Sequence, residues 1–308
     1  MPEEAPATLA AGEVPFSLVS DPSEVVLSPG QLAWERFRRH RLAMVSLVVL
    51  LLLGLAVLFA GTLARYDVVE QDLGAMLTVP SAQHWFGTDN LGRDEFARVL
   101  YGGRISLLVG IAVALSASVL GGLIGALAGY YGGWADNLLM RVTDLFLAIP
   151  FLVILIVASR AMGGSVFDIV VVLSLFYWMG EARIVRGVFL SLKEKEFVEA
   201  ARACGASDAA IIFGHLMPNA LGPMIVNVTL GVAAAILAES ALSFLGFGIQ
   251  PPTPSWGNLL NDAQNFTLIA PWLVWFPGLA ILVTVLAVNF LGDGLRDAFD
   301  PHQKLKEE

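Results

Sequence analysis

The chain has little charge and almost no cysteine. Only 15% of its 308 residues are Asp, Glu, Lys or Arg, while 56% are apolar. A soluble domain carries about 25% charged residues, so this balance indicates an integral membrane protein. The single cysteine, Cys204, excludes an intramolecular disulfide and a cysteine-based metal cluster. Lys and Arg are missing from residues 1–30, which hold Glu3, Glu4, Glu13, Asp21 and Glu24. A net charge of −9, five units of it in that tail, does not fit a nucleic-acid partner. The tail, taken as residues 1–33, has no helical period and reads as a disordered cytoplasmic segment. It also lacks the basic start and apolar core of a secretory signal. No Gly-x-x-x-x-Gly-Lys-Ser/Thr, His-Glu-x-x-His or Gly-x-Ser-x-Gly occurs, so the chain is not expected to hydrolyse ATP itself or to be a hydrolytic enzyme. The four histidines are scattered, and no metal site or resident cofactor is expected.

What the chain does have is long apolar runs. Residues 34–65 combine a basic collar, Trp34 to Arg41, with 22 uncharged residues, and about 20 suffice to cross a bilayer. Further runs at 105–130, 136–158, 166–180, 221–238 and 272–291 bring the expectation to six transmembrane helices in an all-α polytopic protein. The last five passes form a core over 105–300, with a short tail at 301–308. Gly121, Gly125 and Gly129 fall at small-xxx-small spacing and predict close helix packing within the chain. Pro150 predicts a kink in the third pass, where Arg141 and Asp144 are spaced to pair. Glu181 is placed at the cytoplasmic end of the fourth pass and Glu239 near the outer end of the fifth.

Orientation follows from the basic residues. With both termini inside, the cytoplasmic segments hold thirteen Lys and Arg, from Arg36 to Lys306, and the outer segments hold Arg65, Arg93, Arg98, Arg104 and Arg160; thirteen and five account for all 18. Residues 66–104 are then external, with a short interfacial helix predicted from Asp94 to Gly103. Asp89 and Asp94 in that loop are too few for a calcium site. A second outer run, Ser243 to Gly257, is apolar, Pro-rich and uncharged. Left exposed it would be sticky, so it is expected to pack on the bilayer or dock an external partner through Phe244, Phe247 and Trp256.

One cytoplasmic loop, 187–219, departs from this greasy pattern. Within it, Glu196 to Pro218 predicts a helix, a sharp turn and a helix. Ala and Glu favour the first helix, with Phe197, Ala200, Ala201 and Cys204 along one small apolar face. Gly205 stops it, Ser207 caps the next, and Pro218 ends that one or starts another.

The run Glu199-Ala200-Ala201, three residues, Gly205, and Pro218 after a fixed interval resembles the EAA loop of ATP-binding-cassette importer permeases. Two slots before the proline differ from the pattern, holding His215 and Met217. The stretch Gly87-Thr88-Asp89-Asn90-Leu91-Gly92-Arg93-Asp94 resembles a signature of the dipeptide, oligopeptide and nickel branch of those permeases, as does the outer run ending at Trp256. The resemblance implies a type I importer permease of the C type, feeding solute through alternating access. It implies that Glu199, Ala200, Ala201, Gly205, Ala206, Ser207 and Pro218 couple to an ATPase. The partners it implies are a second homologous permease subunit, one or two ATPase subunits carrying ATP and Mg, an external substrate-binding protein and the cell membrane lipid. Short peptides are the expected cargo; nickel or another small solute within the branch, and a self-contained secondary transporter, are the alternatives. The secondary transporter is disfavoured by the expectation that Asp144, Asp168, Glu181 and Glu239 all lie toward the ends of their spans.

Overall fold

The computed structural model describes residues 29–299; most of the acidic tail and the C-terminal residues from 300 lie outside the described residues. Those described are helical, with one isolated bridge between Thr88 and Asp94 and no strand. The expected tail boundary at residue 33 is corrected, because α1 (Pro29–Arg39) already starts at Pro29. It buries Phe37 against Ala43 and Ala298. His40 then interrupts the chain and caps α2 (Arg41–Leu58), its Nδ1 accepting from the Ala43 amide at 3.1 Å. A four-residue α3 (Ala60–Leu63) follows.

The second long helix corrects the outer loop. In place of a separate interfacial helix there is one continuous α4 (Glu95–Tyr131) of 37 residues. At 1.5 Å per residue it runs for about 55 Å, well beyond the roughly 30 Å of a hydrocarbon core. Asp94 caps it, with its carboxylate accepting from the Ala97 amide at 2.8 Å. After Tyr131 the chain turns into α5 (Gly133–Leu147) and α6 (Phe151–Met162), which meet at an 87° bend. Pro150 sits at that break, so the expected kink is a full interruption. Then come α7 (Val166–Leu192), the short α8 (Glu196–Ala203) and α9 (Asp208–Ile211), α10 (Met217–Phe244), α11 (Trp256–Ala263) and α12 (Trp272–Phe299).

Four stretches are single helices long and apolar enough to cross a membrane: Arg41–Leu58, Glu95–Tyr131, Asp208–Phe244 and Trp272–Phe299. The bent α5–α6 pair makes a fifth if counted as one. The remaining expected pass, α7, has 27 residues but bears Asp168, Glu181, Arg183 and Arg186. Its charges are answered locally. Asp168 and Ser165 form a capping box at its start, Arg183 meets Asp144 at 2.6 Å, and Arg186 grips Asp136 through two contacts of 2.5 and 2.7 Å. Asp144 therefore pairs across to α7, and the predicted pairing with Arg141 on its own helix is not formed.

The bundle is built around α4 against α7. Gly121 lies under the Trp178 carbonyl, Gly125 under the Ala182 carbonyl, and a Cβ at Gly129 would come within 2.6 Å of the Phe189 Cβ. Any side chain along that stripe would push the two helices apart, so the stripe packs within the chain as expected. Opposite this core, Leu51, Leu52, Leu55 and Leu58 of α2 are exposed, an apolar flank suited to a membrane.

Candidate functional site

Two ends of the bundle hold the residues singled out by sequence. At one end stands the α8–α9 loop. Its turn is closed by backbone alone: the Gly205 amide donates to the Arg202 carbonyl at 2.9 Å and the Ala206 amide to the Ala201 carbonyl at 3.0 Å. Those two bonds form a Schellman motif, with Gly205 at the left-handed position, φ +81°. The Ser207 hydroxyl accepts from the Ala210 amide at 3.3 Å and opens the next helix, as the sequence predicts.

Beyond Ile211 the chain does not form a separate second helix. A π turn over Ile212–Leu216 joins α9 to α10, giving one helical run from Asp208 to Phe244. Pro218 lies in the first turn of α10, where a missing amide is tolerated.

The predicted apolar face of α8 is also corrected. Val198 is the residue fully buried, in a cluster with Val185, Phe189, Ile211, Ile212 and Leu216. Phe197, Glu199, Ala200 and Cys204 face outward, with Phe197 42% exposed. Tyr130 clamps the loop to α4: its hydroxyl donates to Asp208 at 2.6 Å, and Arg202 lies 5.6 Å over its ring. Glu199 makes no ion pair among the described residues, although Lys195 at i−4 and Arg202 at i+3 are spaced to reach it.

The other end is closed by the two outer runs. Asp89, 1% exposed, accepts from the Leu91 and Arg93 amides at 2.8 and 2.9 Å, from Arg93 Nε at 2.6 Å and from Arg98 Nη1 at 2.5 Å. Arg98 reaches on to Asp262 of α11 at 2.9 Å. Asp94 meets His84 at 2.9 Å. The residues from Gly87 to Asp94 thus form a buried ionic knot tying the loop to α4 and α11.

Trp256 corrects the docking prediction. It is 1% exposed, and its indole N–H donates to the Val99 carbonyl at 2.9 Å. It anchors α11 inside the bundle and presents nothing to a partner. Phe247 is half-buried against the core, leaving Phe244, 40% exposed, as the outward member of the three. Glu239 lies five residues from the end of α10, near the end where the sequence placed it. It is fully buried, taking hydrogen bonds from Ser106 at 3.1 Å and Ser243 at 2.7 Å. Ser106 in turn accepts from the Trp256 amide at 3.2 Å, and Ser243 from the Ile249 amide at 3.1 Å.

A third group was missed by sequence reading. Glu181 was placed at a cytoplasmic boundary, yet it lies inside α7 with 1% exposure. Ser118 of α4 donates to its carboxylate at 3.3 Å, and the Asn227 side chain of α10 donates to its other oxygen. The sign that it was inside a helix was available: the run from Val166 to Leu192 contains no glycine pair or proline to end it.

Residues 121–305, more than half of the chain, match the family described as binding-protein-dependent transport system inner membrane components. The chain belongs to that family. Residues 28–80 match the N-terminal transmembrane domain of oligopeptide transport permease C. A dipeptide transport system permease protein of Alkalihalophilus pseudofirmus is 42% identical over 278 residues, covering 90% of this chain and 91% of that protein. A putative peptide permease protein of Brucella suis is 45% identical over 272 residues, covering 88% and 90%. A glutathione transport system permease protein of Escherichia coli is 43% identical over 280 residues, covering 91% and 92%. The chain is accordingly a C-type membrane permease of a binding-protein-dependent importer, a non-catalytic subunit.

Proposed function

We propose that this permease moves short peptides inward as one half of a paired channel, driven by ATPase subunits bound at the α8–α9 loop. The observation that carries the coupling is the outward face of α8: Phe197, Glu199, Ala200 and Cys204 are exposed on a helix whose turn is closed by its own backbone. Ala206, Ser207 and Pro218 belong to this lever as its turn, cap and root. ATP and Mg act on the partner subunits, and an external binding protein delivers the cargo to the end bearing Phe244. Peptide cargo is supported by the three relatives, whose names specify dipeptide, peptide and glutathione transport. Membership of a binding-protein-dependent family sets the self-contained transporter aside, even though Glu181 and Glu239 are buried.

Six passes fit this reading. The α5–α6 pair starts beside Tyr130 and ends at Gly164, which meets Gln250 of the opposite end, so the bent pair traverses the bundle once. With 27 residues, α7 is about 40 Å long, enough for the sixth. Both termini and the α8–α9 loop are then cytoplasmic.

The test is reconstitution of the complete importer in vesicles. ATP-dependent uptake of labelled di- and tripeptides, requiring the binding protein, is the expected result. Uptake of nickel chelates with no peptide uptake would transfer the assignment to the other cargo of this branch. An impermeant thiol reagent should label Cys204 only from the cytoplasmic side.

A further inference from the structure

The cleft at Glu181 lies halfway through the bundle. On α4, Ser106 marks the end held by Glu239 and Tyr130 the end held by Asp208. Ser118 is twelve residues from each, about 18 Å along the axis. The carboxylate that Ser118 holds is therefore near the middle of the membrane. Beside it lies a cavity of about 260 Å³ between α4, α7 and α10, lined among others by Ser118, Tyr177, Gly180, Glu181, Asn227 and Gly231. Gly180 and Ala234 on its rim are exposed, so it opens at the surface of the chain.

The chemistry of this cleft is one-sided. No Lys, Arg or His lines it. The cations nearest along α7 are already paired, Arg183 with Asp144 and Arg186 with Asp136. Glu181 receives only neutral donors, one on each oxygen, and an ionised carboxylate offers about four acceptor positions. Tyr177 donates its proton to the Ala234 carbonyl at 2.9 Å, leaving its oxygen as a further acceptor. Lipid tails offer nothing to such a group, so a mid-membrane polar cleft belongs on a hydrated path. Glu239 makes the contrast: it too is held by hydroxyls, but it is sealed beneath the outer cap at 0% exposure.

We propose that the Glu181 cleft binds an ammonium group of the passing solute, making it a selectivity point on the translocation path. This rests on the peptide-importer reading and specifies which group of the peptide the permease grips. A cavity of 260 Å³, against about 30 Å³ for each water, has room for an ammonium group and the residue that carries it. The ammonium can come from a peptide amino terminus or from a lysine side chain.

The test uses the complete reconstituted importer with three peptides: trialanine, N-acetyl-trialanine and N-acetyl-Ala-Ala-Lys. Because the binding protein is unchanged, its own preferences cancel when a variant is compared with wild type. Glu181→Gln is expected to lower trialanine uptake about tenfold, the worth of one charge-assisted hydrogen bond, while N-acetyl-trialanine changes less than twofold. A fall for trialanine alone assigns the amino terminus; a fall for the lysine peptide as well assigns any ammonium. Asn227→Lys, which sets a cation against the carboxylate from a different helix, is expected to erase the same preference. The proposal is overturned if all three peptides fall together, if none changes, or if Asn227→Lys keeps the preference. Loss of assembly in both variants would make the cluster a packing element and overturn it too. Wild-type vesicles that take up no peptide at all would sink the functional reading itself, a result distinct from a failure of the variants.

Discussion

The two ends of this bundle solve the same problem in opposite ways. Each must close a loop between long helices near a membrane surface. The end bearing Trp256 uses buried side chains: Asp89 holds two arginines, Glu239 holds two serines, and those serines hold the amides of Trp256 and Ile249. The α8–α9 end closes its turn with backbone, a Schellman turn, one serine cap and a π turn, and adds the Tyr130 clamp from α4. A loop closed by its side chains keeps most of them inside, leaving Phe244 as the one of its three singled-out aromatics that faces outward. A loop closed by its own backbone can turn a whole helix face outward, with Phe197, Glu199, Ala200 and Cys204 all exposed.

Substitution at the sealed end should therefore cost the fold. Trp256→Ala removes a fully buried indole together with its hydrogen bond to the Val99 carbonyl, a loss of about 3–5 kcal/mol. The expected result is a steep fall in the yield of assembled complex and a lowered melting temperature in detergent. Normal yield with transport impaired only at limiting binding protein would instead make this end a docking surface and erase the contrast.

At the open end the turn can be damaged without damaging the bundle. Nothing lies within 4 Å of a Cβ built on Gly205, so the space is free and only its φ of +81° resists a side chain. Gly205→Val should cost roughly 1–3 kcal/mol of local strain. Because Val198 is the one fully buried residue of α8, with Ala201 only partly buried beside it, that strain is expected to open the turn. Permease yield should stay normal while co-purified ATPase falls. Gly205→Asn, which tolerates the left-handed region, should restore much of the binding. Equal losses in both variants would mean that crowding, not conformation, is at stake there.

How much of this was legible in the sequence depended on whether the signal was local. The Gly205 stop, the Ser207 cap and the glycine stripe on α4 are set by residues within one or two turns, and each stands in the structure as expected, while the Pro150 kink stands at its position but as a full break. What failed depended on the neighbours of a helix. The helix predicted from Asp94 to Gly103 was placed at the outer surface, but Asp89 and Asp262 allow its Arg98 to be buried at the start of α4. Glu181 looked like the end of a span because the serine and asparagine that hold it come from two other helices. The face of α8 was misjudged since Phe197 and Val198 are both apolar, and only the Phe189 and Ile211 packing decides between them. Trp256 resembled an exposed anchor until Gly102 and Gly103 of α4 made room for it.

The smallest structural change carries the sharpest test of the open end. Glu199 is exposed and makes no ion pair among the described residues, so replacing it removes no contact inside the chain. Glu199→Lys keeps a strong helix former in the first turn of α8 and leaves the Schellman turn at its other end untouched. Melting temperature and membrane yield should match the wild type, as for most exposed substitutions. What does change is the charge presented beside Phe197. A lever couples two states only if its contacts with the ATPase differ between them, and a reversed charge alters that difference without removing the apolar contact. The expected outcome is ATPase that still co-purifies but no longer accelerates when peptide and binding protein are added. Phe197→Ala should do the reverse, weakening co-purification while leaving the remaining bound ATPase responsive. If both variants hydrolyse and transport as the wild type does, the outward face of α8 is not the contact, and the coupling role passes to another surface of this end of the bundle.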